Sequence, residues 1–299
     1  MTEEVFRSGF VSIIGRPNVG KSTLLNKVVG HKVAIMSDKP QTTRNKIQAV
    51  LNGPSGQVVF IDTPGIHKPK HKLGQYMREV ALRSLAEVDL ILYVVDASAK
   101  FGAGEEYILA SLEGIDTPIF LILNKLDKVH KDQLISLIKA YTSRREFTQT
   151  IPVSAKTGEN TEKMVSLIWE YLPEGPRYFP LDMVTDQPER LLMAELIREK
   201  ALYQTKEEVP HALAVVVEQV EQRPENTVYV SAGIYVERDS QKAIIIGKQG
   251  NMLKTIGSLA RQDMEALLGS KVYLDLWVRV KKDWRQQDRD LRLFGYVHE

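Results

Sequence analysis

The chain of 299 residues contains no cysteine, which excludes disulfides, thiolate metal sites and a cysteine nucleophile, and fits a reducing compartment. It has no apolar run long enough to span a bilayer. Met1-Thr2-Glu3-Glu4 is acidic where a signal peptide is basic, so a cytosolic location is expected. Neither sign of charge dominates: 40 Lys and Arg face 38 Asp and Glu, a net of +2. There is no internal repeat, low-complexity tract or heptad array. The six histidines show no metal-ligand spacing; His67 and His71 sit among Lys68, Lys70 and Lys72 and read as surface residues. What remains, 43% hydrophobic and 26% charged, is the composition of a soluble globular protein, and the length suits two domains with separate cores.

The most informative stretch is Gly15-Arg16-Pro17-Asn18-Val19-Gly20-Lys21-Ser22, between an apolar, β-prone run at 10–14 and a helical pattern at 23–29. That context suits a phosphate-binding loop. Glycines let the backbone curl around an anion, its N–H groups point inward, and the helix N-terminus adds positive potential. Lys21 would neutralise the β- and γ-phosphates and the Ser22 hydroxyl would coordinate Mg²⁺. Gly15, Asn18, Val19, Gly20, Lys21, Ser22 and Thr23 are the candidates for holding the phosphates.

Short apolar strands alternate with helical patterns through the first half, which predicts a mostly parallel sheet flanked by helices. Strands are expected at 47–51, 57–61, 90–96, 119–124 and 150–154, and helices at 74–86, 105–112, 131–141 and 161–171. Residues 37–45 are polar and without periodicity. Residues 172–180 carry three prolines and end the first domain. The expected division is 1–173, a linker at 174–183, and 184–299. In the second domain the order is a helix (189–203), two β-rich runs (212–221 and 227–237), a long helix (249–268), a strand (271–281) and a polar tail. Residues 181–299 hold 17 basic and 19 acidic residues, so any contact with nucleic acid there must be local.

Asp62-Thr63-Pro64-Gly65 ends a predicted strand, where a carboxylate can hold Mg²⁺ through water and the Gly65 amide can meet a γ-phosphate. Asn124-Lys125-Leu126-Asp127, also at a strand end, selects the base. Guanine presents N1–H and a 2-amino group on one edge and an ionised Asp127 accepts both; adenine offers neither and leaves a desolvated carboxylate unpaired. Ser154-Ala155-Lys156 completes the set, with the Ala155 amide toward guanine O6 and Lys156 flanking the ring.

These four ordered motifs resemble those of the translation-factor-related GTPases. The wording GRPNVGKSTLLN, QTTRN, DTPGI, NKLD and SAK resembles the bacterial Era GTPases in particular. The resemblance implies that Thr42 or Thr43, with Thr43 favoured, joins Mg²⁺ and the γ-phosphate; the metal set is then Ser22, Thr43 and Asp62, and catalysis rests on Lys21, Thr43, Asp62 and Gly65. Asn18 resembles the asparagine that in some relatives holds K⁺ beside the phosphates; the alternative is that it serves the loop's own hydrogen bonds. Ile66 departs from the Ras pattern, since isoleucine cannot hydrogen-bond the water that a glutamine orients, and slow intrinsic hydrolysis is expected. Arg44 could also reach the phosphates, but a solvated loop arginine is the preferred reading.

In the second domain Gly247-Lys248-Gln249-Gly250 runs from an apolar segment into the long helix. A G-x-x-G loop at a helix start lets a nucleic-acid backbone approach, offers amides to phosphates and places Lys248 as a charge partner. Leu253, Ile256, Ala260, Met264 and Leu267 form a core-facing stripe on that helix. The order of elements resembles a type II KH domain, an α+β fold, and a GTPase followed by a KH domain is the Era arrangement. RNA contacts are expected at Lys242, Gly247, Lys248, Gln249, Gly250 and Lys254, with Arg261 adding charge and Arg279, Lys281, Lys282 and Arg285 forming a second patch. Trp277 and Trp284 read as packing residues. The resemblance implies binding of GTP and GDP, GTP hydrolysis with Mg²⁺, and binding of small-subunit (16S) ribosomal RNA near its 3′ end during 30S assembly. It also leaves room for a monomer that associates peripherally with the cytoplasmic face of the inner membrane. The rival readings are a non-hydrolysing, nucleotide-dependent RNA-binding scaffold, a membrane-associated or RNA-modification GTPase, and a small-metabolite kinase; the last is opposed by the Asn124–Asp127 motif.

Overall fold

The computed structural model describes residues 5–296. Among them are two compact units. One takes the chain up to residue 36 with 43–70 and 74–186; the other takes 187 onward with the short stretches 37–42 and 71–73.

The first unit runs β1 (Arg7–Ile14), α1 (Lys21–Val29), β2 (Ile47–Gly53), β3 (Gly56–Asp62), α2 (Lys72–Arg83), β4 (Leu90–Asp96), α3 (Ala103–Ser111), β5 (Ile119–Asn124), α4 (Lys131–Thr142), β6 (Gln149–Pro152) and α5 (Thr161–Tyr171), α2 having its first residues in the other unit. The sheet order is β2-β3-β1-β4-β5-β6, parallel throughout except for the antiparallel edge strand β2. Helices cover both faces, so successive strand residues enter different cores. Leu90, Leu92 and Val94 pack with Leu24, Leu25, Met164 and Ile168 on one face; Ile91, Tyr93 and Val95 pack with Ile108, Leu112 and Tyr141 on the other. Each such side chain contributes about 1.5–3 kcal/mol on burial. The phosphate loop, Asp62, Asn124 and Ser154 consequently all leave the sheet at the carboxyl ends of its strands, where open α/β sheets hold ligands.

The proline-rich segment expected to be a linker is fastened to this unit. Ser8 Oγ donates to Pro176 O (2.7 Å), and the buried Gln57 amide accepts from the Tyr178 and Phe179 N–H groups (2.9 Å each) and donates to Phe179 O (2.8 Å). Val50 N then donates to Val184 O (2.8 Å), so the segment covers the open edge of β2. Exposed edge strands invite unwanted pairing, and this one is capped by its own chain.

The second unit continues with α6 (Glu189–Gln204), α7 (Val209–Ala212), β7 (Ala214–Arg223), β8 (Thr227–Val236), α8 (Asp239–Ile246), α9 (Asn251–Leu268), β9 (Lys271–Val280) and α10 (Asp288–Leu293). Its sheet order is β7-β8-β9, antiparallel then parallel. A parallel pair needs a crossover, which α8, the G-x-x-G loop and α9 supply. Ile256, Ala260 and Met264 are buried as expected, whereas Leu267, assigned to the same stripe, is 45% exposed in the last turn of α9. Helix α8 lies where the sequence showed only an apolar run, and the polar tail contains α10 and the fully buried Trp284, whose Nε1 donates to Ala212 O (2.8 Å). Trp277 lies across Gly233, where a Cβ would come within 2.2 Å of the indole.

Candidate functional site

Left-handed backbone at three positions builds the phosphate loop: Gly15 (φ 151°), Asn18 (φ 65°) and Gly20 (φ 97°). A Cβ on Gly15 would lie 2.2 Å from Val94 O, and one on Gly20 would lie 2.3 Å from Asn124 Nδ2, so both must be glycine. Arg16, Pro17, Val19 and Thr23 complete the surround. Lys21 starts α1, buried, with its Nζ donating to Gly15 O (3.3 Å) and Arg16 O (3.1 Å). Burial pushes its ammonium down to about 8, while Asp62 and Glu105 pull it back up.

Four oxygens gather beside Lys21. Ser22 Oγ donates to Asp62 Oδ2 (2.6 Å), Thr43 Oγ1 lies 3.0 Å from Ser22 Oγ, and Thr43 Oγ1 donates to Asp62 Oδ2 (3.3 Å). Asp62 Oδ1 is buried without a hydrogen-bond partner. Burial raises the Asp62 carboxyl above its ordinary value, against the opposing pull of Lys21 and donors from Ser22, Thr43 and Thr63. A cluster of hard oxygen donors around an orphaned carboxylate oxygen fits Mg²⁺. The Thr42 hydroxyl donates to Lys39 O (2.7 Å). Gly65 lies against the phosphate loop, where a Cβ would come within 2.6 Å of Pro17 N, and Ile66 N donates to Gly15 O (3.0 Å). Arg44 corrects the expectation of a solvated loop residue, being only 2% exposed.

The base-binding segments are tied to the same loop. Asn124 Nδ2 donates to Val19 O (2.8 Å), and its Oδ1 accepts from the Ala155 N–H (2.9 Å). The Ala155 amide, expected at guanine O6, is thus engaged by Asn124. Lys125, in left-handed backbone, donates to Asn18 O (2.8 Å) and to Asp96 Oδ2 (2.6 Å). Asp96 was not among the expected residues; its place at the end of β4, level with Asn124 at the end of β5, was the available signal. Burial pushes its carboxyl up, but hydrogen bonds from Lys125 and Ser98 outweigh that and hold it below its ordinary value. Asp127 is exposed and accepts from the buried Ser154 hydroxyl (2.6 Å), which orients the carboxylate; Lys156 is exposed beside it.

In the second unit the G-x-x-G loop also depends on left-handed backbone, at Gly247 (φ 71°), Gln249 (φ 53°) and Gly250 (φ 77°). Lys248, Gln249 and Lys254 are exposed and Lys242 is half-buried. Among the described residues Lys242, Lys248 and Lys254 enter no ion pair. The second basic patch is different. Arg285 pairs with Glu237 (2.6 Å), Lys281 with Asp290 (3.1 Å), and Arg279 stacks over Trp277 (4.1 Å), so most of its charge is spent inside the fold.

Fold and sites together define a P-loop GTPase joined to a KH domain. A family model described as a 50S ribosome-binding GTPase matches residues 10–125, and a KH-domain model matches 208–285. The chain is similar to Era solved in complex with MgGDPNP and nucleotides 1506–1542 of 16S ribosomal RNA, at 43% identity and a TM-score of 0.95, covering 98% of this chain and 100% of that one. It is equally similar to a point variant of Aquifex aeolicus Era bound to GDP·AlF4⁻, at 43% identity, a TM-score of 0.94 and the same coverage. The chain belongs to the Era family of GTPases.

Proposed function

We propose that this protein binds GTP and GDP, hydrolyses GTP, and binds small-subunit ribosomal RNA near its 3′ end as a nucleotide-controlled factor in 30S assembly. The observation that carries the first half is the convergence on one phosphate loop of Ser22, Thr43 and Asp62 at one side and of Asn124 and Lys125 at the other. The unpaired lysines around Gly247–Gly250 support the second, together with the RNA-bound relative.

In this reading Lys21 and the loop amides grip the β- and γ-phosphates, Asp127 reads guanine, and Gly65 meets the γ-phosphate. Ser22, Thr43 and Asp62 would hold Mg²⁺, which when bound neutralises charge on the phosphate oxygens. Asn18 either holds K⁺, whose charge would take the place of an arginine finger, or serves the loop's own hydrogen bonds, and the comparison of K⁺ with Na⁺ separates the two. The γ-phosphate keeps the Thr43 and Gly65 segments in one arrangement, and its loss releases them and alters RNA affinity. Because residues 174–186 are fastened to the first unit, the joint that permits this is assigned to the chain just after Asp186. A monomer, peripheral at the cytoplasmic face of the membrane, belongs to the same reading; no helix among the described residues is long and apolar enough to cross one.

The test is GTP turnover with Mg²⁺, with and without a single-stranded oligonucleotide of the 16S 3′ end, in K⁺ and in Na⁺. Turnover that rises with RNA and falls in Na⁺ supports the reading. Tight RNA binding with no turnover under any condition favours the scaffold, for which the missing water-orienting glutamine at Ile66 speaks.

A further inference from the structure

We propose that Glu105 is a positioning residue of the phosphate loop, acting through Arg16. It rests on the reading of that loop as a guanine-nucleotide site and assigns a role to a buried acid which the scheme above does not use.

Glu105 lies in the first turn of α3, far in sequence from every nucleotide motif, and is only 4% exposed. One carboxylate oxygen accepts a hydrogen bond from the Tyr93 hydroxyl on β4; the other faces Arg16 Nη1 at 3.7 Å. Tyr141 on α4 packs edge-on against the Tyr93 ring (6.0 Å). Two elements, α3 and β4, therefore place the carboxylate, and the cation it faces belongs to the phosphate loop. Arg16 reaches it by crossing the start of α3 at Gly104, where a Cβ would stand 2.7 Å from Arg16 Nε. Any larger residue at 104 would obstruct that path.

The peptide that this tether holds is the seat of the site. Arg16 O accepts from Lys21 Nζ, its neighbour Gly15 O accepts from both Lys21 and Ile66 N, and Pro17 is the surface on which Gly65 rests. An ion pair on the side chain of residue 16 thus limits the rotation of the one stretch that receives the phosphate lysine and the Gly65–Ile66 segment. A buried carboxylate needs a partner, and among the described residues Arg16 is the one cation within ion-pair distance of Glu105.

The experiment uses the full-length protein and measures the dissociation constants of GDP and of a non-hydrolysable GTP analogue, with Mg²⁺, for wild type, R16A, R16K, E105Q and the R16A/E105Q double variant, alongside melting temperatures. R16A and E105Q should each weaken the analogue about fivefold, the upper end for a half-exposed pair, and the double variant no further than either single. R16K should recover part of the loss. A wild-type affinity in R16A, or single losses that multiply in the double variant, overturns the proposal. R16A decides the matter even if E105Q fails to fold, since its side chain is 45% exposed. A wild type that binds no guanine nucleotide sinks the site itself, whereas a binding wild type with an indifferent R16A sinks only the role of Glu105.

Discussion

Ile66 occupies the place of the water-orienting glutamine of Ras-type enzymes, yet its side chain is 1% exposed and packs with Ile14, Ala81 and Leu85. It is a core residue whose amide, not its side chain, serves the site. I66Q should therefore leave turnover unraised and cost about 2–4 kcal/mol of stability, from lost apolar burial and a buried amide, readable by urea denaturation. Glu105 gives a pH prediction. Burial raises its carboxyl above the ordinary 4.5, against the opposing hydrogen bond from Tyr93 and the charge of Arg16. The folded state then keeps a proton that the unfolded state releases. Stability accordingly falls as pH rises from about 4.5 to the raised value, by at most ~1.4 kcal/mol per pH unit, and is level above it. E105Q removes that slope, so the stability of wild type relative to E105Q should decline as pH rises above 4.5 and then level off in parallel denaturation curves.

Among the elements, the strands of the first sheet were legible because burial on two faces makes continuous apolar runs, and β4 and β5 begin and end where expected. Helix α8 was not. Its last four residues, Ala243 to Ile246, include three isoleucines, which favour strands, and tertiary packing of Ile245 overrides that preference. The readable signal was Gln241, whose Oε1 accepts from the backbone N–H groups of Glu237 and Arg238 and so closes the helix start. The fastening of residues 174–186 was also hidden. Prolines announce the end of a helix but say nothing of a glutamine far upstream that captures the chain. Q57A should free that segment, with faster hydrogen exchange at the Tyr178 and Phe179 amides, both of which bond Gln57. On α9 and its loop, K248A should weaken single-stranded RNA binding and reduce the slope of log affinity against log salt by about 0.7, the share of one phosphate contact. An unchanged slope would remove Lys248 from the interface.

For the whole molecule, the nucleotide motifs were legible before any geometry because each is a short run whose chemistry is local: glycines that curl, a lysine that neutralises, a carboxylate that reads an edge. Contacts assembled across sequence were not legible. Asp96 holding Lys125, Glu105 facing Arg16, and Glu237 and Asp290 neutralising the second basic patch all join residues with no common motif. The same distinction separates the two halves of the function. In the proposed reading, nucleotide binding draws on a preorganised set of tied segments, whereas RNA binding draws on lysines beside a loop. Charge-neutral as the second half is overall, its affinity for RNA should concentrate at Gly247–Gly250 and Lys254. If the nucleotide controls that affinity, RNA should bind with different strength in the presence of GDP and of a GTP analogue, because a ligand shifts an equilibrium only through differential binding.

The central claim is that a guanine nucleotide occupies the phosphate loop and is recognised by Asp127, whose carboxylate Ser154 orients. Its most direct test is the relative affinity of wild type and D127N for GTP and xanthosine triphosphate. Asparagine can donate to the oxygen that xanthine carries in place of the guanine amino group, so D127N should reverse the wild-type preference for GTP. A D127N protein that still prefers GTP by the wild-type ratio would contradict the account.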